Sequence, residues 1–450
     1  MNKKEHQNVS LYLMFLKTLN HQYPQIQPFI SMYIRRILVL LAILSLFSTC
    51  RPLKRPVNVN FAHLYNSELS VVQPEYSIFH HQTDSTKLIM YINPDELLYV
   101  RDATEDFFTS RFQLSWYLFE NFESRNLSDS AKIVFSDTLT VDLKPYIERT
   151  VKLATPPGLR YTLFTEFEDL NRRTRHQDAL TLDKSHPYTS QFFVFSENEN
   201  SKSTAPFFLS SQKNFEITYA EALNFELSAY LYPTHDIIPV PPFVVIDSKV
   251  KHLPELVADS SFVLDFRNGK SSLFTSLKGL YHFHEKGNSE LGFVAYAFHP
   301  GFPNVSDSDD VLRSLRYITS ADEYQQLFTY NDSRLAIERF WNRSAGNPDR
   351  ARELISRYYN RVNNANILFT SFVPGWQTDR GMIYIIFGPP HSVFKTENTE
   401  TWRYTEGMNV PSATFTFNRI NNKYSPNHYV LERDQSYRST WNHAVSIWRR

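Results

Sequence analysis

Thr378, Asp379 and Arg380 come after Trp376 and Gln377 and lie between Gly375 and Gly381 near the end of a 450-residue chain. A carboxylate and a guanidinium beside a large aromatic ring can bind a sugar or a polar peptide group. They do not make a reaction set, because no separate base, nucleophile or paired carboxylate accompanies them at a readable spacing. The same residues also suit a structural corner. Thr378 and Asp379 can bond backbone N–H groups and fix a turn. Arg380 can pair with Asp379 or with a neighbouring carboxylate, and Trp376 is large enough to plug the seam between a helix and the sheet that follows. Gly375 and Gly381 bracket a reversal that needs positive φ or close backbone approach. The turn lock is the favoured reading, and a ligand or partner site is the second.

Other candidates carry less. His282 and His284 stand at strand spacing, so both imidazoles leave one sheet face, with His299 downstream. The third has no fixed relation to the pair, so a solvated or hydrogen-bonded surface pair is expected and no metal site. A single cysteine, Cys50, excludes an intrachain disulfide and a Cys-cluster metal site. Glycine is scarce, 11 residues in 450, about 2.4% where average usage is about 7%. No G-x-G-x-x-G follows a strand and no Walker loop exists, so no nucleotide site is indicated and no cofactor is expected. The nucleophile elbow G-x-S-x-G is missing too. The formal net charge is zero, which gives no pull toward nucleic acid.

Cys50 has a context. Residues 37–47 form an apolar run after Arg35 and Arg36, and Ser48 and Thr49 precede the cysteine. Eleven residues are too few for a bilayer-spanning helix, which needs about 20. A basic start, a short apolar stretch and small residues before a cut site make a secretory signal. With cysteine at the cut position, the segment resembles a bacterial lipoprotein signal, so Cys50 is the expected lipidation residue. Met32 opens a compact signal over residues 32–49, and residues 1–31 read as an upstream extension outside it. The mature chain then carries 42 basic and 46 acidic residues. Residues 50–57, basic and Pro-containing, read as a tether. The expected place is the outer membrane, periplasmic face, reached through a lipid anchor.

These residues need elements to hold them. Aromatic residues make up 15% of the chain, which favours β structure with large cores. Alternating runs such as 87–92, 112–119 and 160–167 predict a β-sandwich over residues 58–187. Runs at 191–195, 224–232, 261–266 and 292–298 predict a second over residues 188–305, both of immunoglobulin-like type. Helices follow from residue 306. Ser320 and Glu323 form a capping-box sequence. Asn347 and Pro348 open a helix whose apolar face runs through Ala351, Leu354, Ile355, Tyr358, Val362 and Ala365. Residues 382–387 read as a buried strand ended by Gly388, Pro389 and Pro390, with further strands at 401–404, 413–417 and 429–432. Tyr437, Trp441, Val445 and Trp448 predict a terminal helix with an aromatic stripe that docks on its own domain. The fold class is mainly β with a C-terminal α+β domain, helices packed on an antiparallel β-meander over residues 306–450.

The run Gly375-Trp376-Gln377-Thr378-Asp379 resembles the GWxTD family of bacterial envelope proteins. Phe340, Trp341, Arg343, Tyr359, Arg361, Val362, Ala365, Asn366, Phe369, Trp402 and Tyr404 add to the resemblance, which covers roughly residues 310–450. The family carries no established activity to transfer. The expected function is therefore a non-enzymatic binding or scaffold component of an envelope complex. The alternative is an enzyme acting on envelope glycan or peptide, with the sandwiches as accessory domains.

Overall fold

Two β modules and a mixed C-terminal domain each close around a core of their own. The structure, a computed structural model, describes residues 60–449 apart from 67–70, 102–106, 125, 141–144, 199–200, 204–205, 246–255, 307 and 406–411. Cys50, the signal and the tether lie outside the described residues.

The first module holds β1 (Glu75–Gln82), β2 (Ser85–Ile92), β3 (Val100–Arg101), β4 (Phe108–Phe119), β5 (Leu127–Thr138), β6 (Ile147–Ala154), β7 (Arg160–Asp169) and β8 (Thr174–Asp183). One sheet runs β1-β2-β6. The other runs through β4, β7 and β8, with β5 on the far side of β4 and β3 at its start. Period-2 alternation sends Leu88, Met90 and Ile92 from one sheet, and Phe112, Leu114, Trp116 and Leu118 from the other, into a single core. The Tyr161 hydroxyl donates to the Pro156 carbonyl (2.8 Å) and braces the corner before β7.

The second module holds β9 (Phe193–Asn198), β10 (Ser201–Ser203), β11 (Phe207–Phe208), β12 (Asn214–Tyr219), β13 (Phe225–Tyr232), β14 (Ser260–Arg267), β15 (Lys270–Ser271), β16 (Phe274–Thr275), β17 (Gly279–Glu285) and β18 (Asn288–Ala297). The hydrogen-bonded path continues from β12 through the short β15 to β14, β13, β17 and β18. The path folds back on itself, because Phe193 of β9 stacks on Phe293 of β18 with centroids 4.2 Å apart. Phenylalanine fills most of this core.

Lys184 fastens the first module at its junction with the second. Its ammonium is buried (1% exposed) and donates to the carbonyls of Gln82, Thr83, Ser85 and Thr155 at 2.8–3.1 Å. Burial pulls its pKa down to about 8, so the group is still charged near neutrality.

The C-terminal domain holds α1 (Ser308–Ser314), α2 (Ala321–Leu327), α3 (Ser333–Ala345), α4 (Pro348–Phe369), α5 (Asp379–Phe387) and α6 (Tyr437–Ile447). Its antiparallel sheet is the meander β19 (Ser392–Lys395), β20 (Thr399–Tyr404), β21 (Ala413–Arg419) and β22 (Tyr429–Leu431). The capping box at Ser320 and Glu323 is formed, and Asn347 caps α4 with Pro348 in its first turn. The aromatic stripe of α6 docks inward, with Trp441 and Trp448 buried in the domain core.

Two expectations are corrected. Residues 382–387 are the body of α5 and not a strand. This helix is buried on every side, so its sequence is a continuous apolar run, and periodicity cannot tell such a run from a buried strand. His282 and His284 are not a surface pair, since both are buried. The outer face of β17 is covered by residues 422–425, whose Tyr424 ring meets His282, while Tyr230 stacks on His284. Burial pushes the His282 pKa down to about 3, so its ring is neutral. His299 faces Asp310 at 3.8 Å.

Replacing Lys184 by Met should leave the carbonyl cage unsatisfied. A loss of about 2 kcal/mol or more is expected from the urea midpoint of the purified protein.

Candidate functional site

Close backbone contact comes first. α4 ends at Phe369, and the chain turns back through a 3-10 turn at Gly375–Gln377 into α5. A Cβ on Gly375 would lie 1.9 Å from the Ala365 carbonyl oxygen, and one on Gly381 would lie 1.9 Å from the Gly375 carbonyl oxygen. Neither glycine has positive φ, so close approach is what each supplies. The α4 backbone, the turn and the first turn of α5 thereby touch without side chains between them.

The polar groups of the turn are consumed in holding this contact. Asn366, fully buried, accepts from the Trp376 N–H (3.1 Å) and donates to the Pro303 carbonyl (2.9 Å). Thr370 accepts from the Gly375 N–H at 3.0 Å. Thr378 caps α5, accepting from the Gly381 N–H (3.0 Å) while its hydroxyl donates to the Gly375 carbonyl (2.8 Å). Trp376 is 1% exposed, and its carbonyl accepts from the Tyr317 hydroxyl at 2.7 Å. It lies in the domain core with its ring edge-on to Tyr317, in the segment before α2. Gln377 is the exception, with a buried amide oxygen that finds no partner among the described residues.

Asp379 and Arg380 do not pair with each other. Asp379 accepts from the Leu431 N–H (2.8 Å) and is gripped by the Arg433 guanidinium, so it satisfies β22 and the chain beyond it. Arg380, 3% exposed, reaches Glu400 on β20 at 3.2 Å. It also donates to the Asn427 carbonyl (2.9 Å), and Asn427 in turn donates to the Leu368 and Thr370 carbonyls at the end of α4. The Arg380 guanidinium lies between the rings of Phe369 and Tyr429, 5.2 and 4.0 Å from their centroids.

Glu400 is the buried acceptor on which these contacts converge. Besides Arg380 it takes Lys395 (3.2 Å), the Trp402 indole N–H (3.1 Å) and the Tyr65 hydroxyl (3.0 Å). Burial by itself would raise its pKa, but Lys395 and Arg380 overcome that and hold it at about 2. The far end of α5 is closed as carefully. Arg361 donates to the carbonyls of Ile385 and Ile386, Trp448 donates to Ile386, and the Tyr404 hydroxyl donates to Gly388.

The structure thus brings Gly375, Trp376, Thr378, Asp379, Arg380 and Gly381 together as a buried joint, with its side chains turned inward. Sequence reasoning missed Glu400, Tyr65, Asn427 and Arg433. Glu400 had a readable signal, because it alternates with Trp402 and Tyr404 on the core face of one strand. Asn366, named above only for the resemblance, is a polar residue four positions after Val362 on the apolar face of α4. Tyr65 had no such signal: it falls within residues 58–187, expected as sandwich, yet it lies ahead of the first strand at Glu75 and belongs to the C-terminal core. Among the described residues no group of three or more His, Cys, Asp or Glu could hold a metal ion.

Residues 279–450 match the family model of the GWxTD domain, so this part of the chain is a GWxTD domain. The match begins at β17, earlier in the chain than residue 306. No curated protein matches the chain. Among solved structures, red sea bream transglutaminase is similar over 50% of this chain and 31% of that chain, at 8% identity and a TM-score of 0.18. That likeness carries nothing about fold or activity.

Two outcomes follow from this joint. Gly375→Ala or Gly381→Ala should cost about 3 kcal/mol or abolish soluble expression, because the obstructing atoms are backbone. Denaturant unfolding of purified variants measures it. Glu400 has a folded pKa below its unfolded value near 4.5, so its contribution is complete above that pH. The contribution is lost as pH falls from about 4.5 to about 2, and thermal unfolding followed across that window should show Tm dropping. Glu400→Gln should flatten that part of the profile and cost about 3–5 kcal/mol at neutral pH, since two buried cations lose their counter-ion.

Proposed function

We propose that this chain is a lipid-anchored cell-envelope protein at the outer membrane, acting as a non-enzymatic binding or scaffold component of a larger complex. The observation that carries the non-enzymatic reading is the commitment of Thr378, Asp379 and Arg380. Each spends its polar atoms on backbone or on buried partners of the same chain. A catalytic carboxylate or cation needs a face toward substrate. The anchor reading is supported by the apolar run of residues 37–47 ending at Cys50. No described helix is long and apolar enough to cross a membrane.

The first module fits an immunoglobulin-like spacer. Its strands divide as β1-β2-β6 against β5-β4-β7-β8, and Tyr161 makes the corner hydrogen bond common in such folds. Modules of this kind bind or space, and the fold alone names no ligand.

Mass spectrometry of the protein from membranes should find Cys50 as the lipid-modified first residue, and Cys50→Ser should move the protein to the soluble fraction. Unmodified Cys50 in the mature chain would overturn the anchor. Gentle cross-linking and co-purification should recover partner proteins, and recovery of the monomer alone would count against the complex.

A further inference from the structure

The GWxTD domain contains a piece of chain that its family match does not cover. Residues 60–65 precede both β modules, yet Phe61, Ala62 and Tyr65 belong to the core of the C-terminal domain. At one end the segment lies along β19. The Phe61 N–H donates to the Val393 carbonyl (2.9 Å), the Val393 N–H donates to the Asn60 side chain (2.9 Å), and the Asn60 amide donates to the His391 carbonyl (3.3 Å). At the other end a 3-10 turn, Ala62–Tyr65, delivers Tyr65 into a pocket. Its ring meets Phe369 and Trp402, with centroids 5.4 and 5.2 Å away, and the Lys395 ammonium lies 4.9 Å from its centre. Its hydroxyl donates to both oxygens of Glu400 at 3.0 Å, and its carbonyl accepts from the Tyr384 hydroxyl at 3.0 Å.

One backbone bond and two bonds through the Asn60 amide fix the segment on the strand edge. An edge contact combined with an aromatic anchor in a polar-ended pocket is a way in which peptide-recognition domains hold their ligands. Glu400 has donors besides Tyr65, namely Arg380, Lys395 and Trp402, so the carboxylate is built and oriented by the domain itself. We propose that the β19 edge and the Glu400 pocket form a peptide-binding site for an Asn-Phe-x-x-x-Tyr segment. In this chain residues 60–65 fill it in cis. The site takes the same peptide in trans once the cis segment is released. The phenol hydroxyl supplies the specificity, because a buried carboxylate positioned for it loses a donor when phenylalanine replaces tyrosine.

The test uses the full chain with a protease site replacing residues 67–70, cut after folding so that the segment is held without a covalent link. Native mass spectrometry should find the N-terminal fragment still bound after cleavage. A fluorescein-labelled synthetic peptide of residues 58–66 should then exchange into the cut protein, read by anisotropy, and should not bind the uncut protein. The Tyr65→Phe peptide should bind about tenfold more weakly, and a scrambled peptide should not bind. Fragment loss on cutting with no rebinding of the peptide, a fragment that stays and never exchanges, or equal binding of the scrambled peptide would each overturn the proposal. Far-UV circular dichroism of the cut protein separates loss of the segment from loss of the fold.

Discussion

Glu400 is a carboxylate without access to water, and the C-terminal domain is arranged around keeping it ionised. Two cations and two neutral donors surround it, each from a different part of the chain. Arg380 brings α5, Lys395 brings β19, Trp402 shares its own strand, and Tyr65 brings the N-terminal segment. A buried charge is costly when unpaired, so each partner is held in place by the penalty of leaving. The turn at Gly375–Gln377 is one spoke of this arrangement. Gly375 and Gly381 let the turn lie against α4 on one side and α5 against the turn on the other, backbone to backbone, and those contacts set where Arg380 can reach.

The three cores are also fastened to each other. Residues 56–450 cluster as one compact unit. Lys184, Thr189 and Gln191 tie the first module to the start of the second. Phe372 and Val373 of the C-terminal domain join Tyr232, Leu280, Tyr296 and Phe298 of the second. Phe61 meets Phe122 and Phe164 of the first. The contacts close a ring of three neighbours, and aromatic side chains do most of that work because one ring covers a large area with few lost rotamers.

Local pattern made much of this legible. Alternation located strands in both β modules, and caps located α2 and α4, because these depend on neighbours in sequence. The corner role of Thr378, Asp379 and Arg380 followed from their own hydrogen-bonding capacity. What stayed hidden depends on burial or on distant partners. α5 reads as a strand because a helix wrapped on all sides has no polar face. His282 and His284 read as exposed because nothing in β17 announces that residues 422–425 will cover it. Tyr65 and Glu400 are 335 positions apart, and no spacing rule reaches that far.

The placement of Tyr65 has a bearing on the order in which the molecule can assemble. The segment at residues 60–65 leaves the ribosome before any of the β modules. The strand edge it lies along and the pocket that takes Tyr65 are built from α4, α5, β19 and β20, which are made near the end. Long-range closure of this kind carries an entropic cost that is met before the contact is formed. Both β modules can close around their own cores, and offer Phe122 and Phe164 to Phe61, before the Glu400 pocket that takes Tyr65 exists. A segment made before both β modules thus finds the pocket for its tyrosine only after β20 has been made, and the C-terminal core is completed by a piece of chain from ahead of both modules.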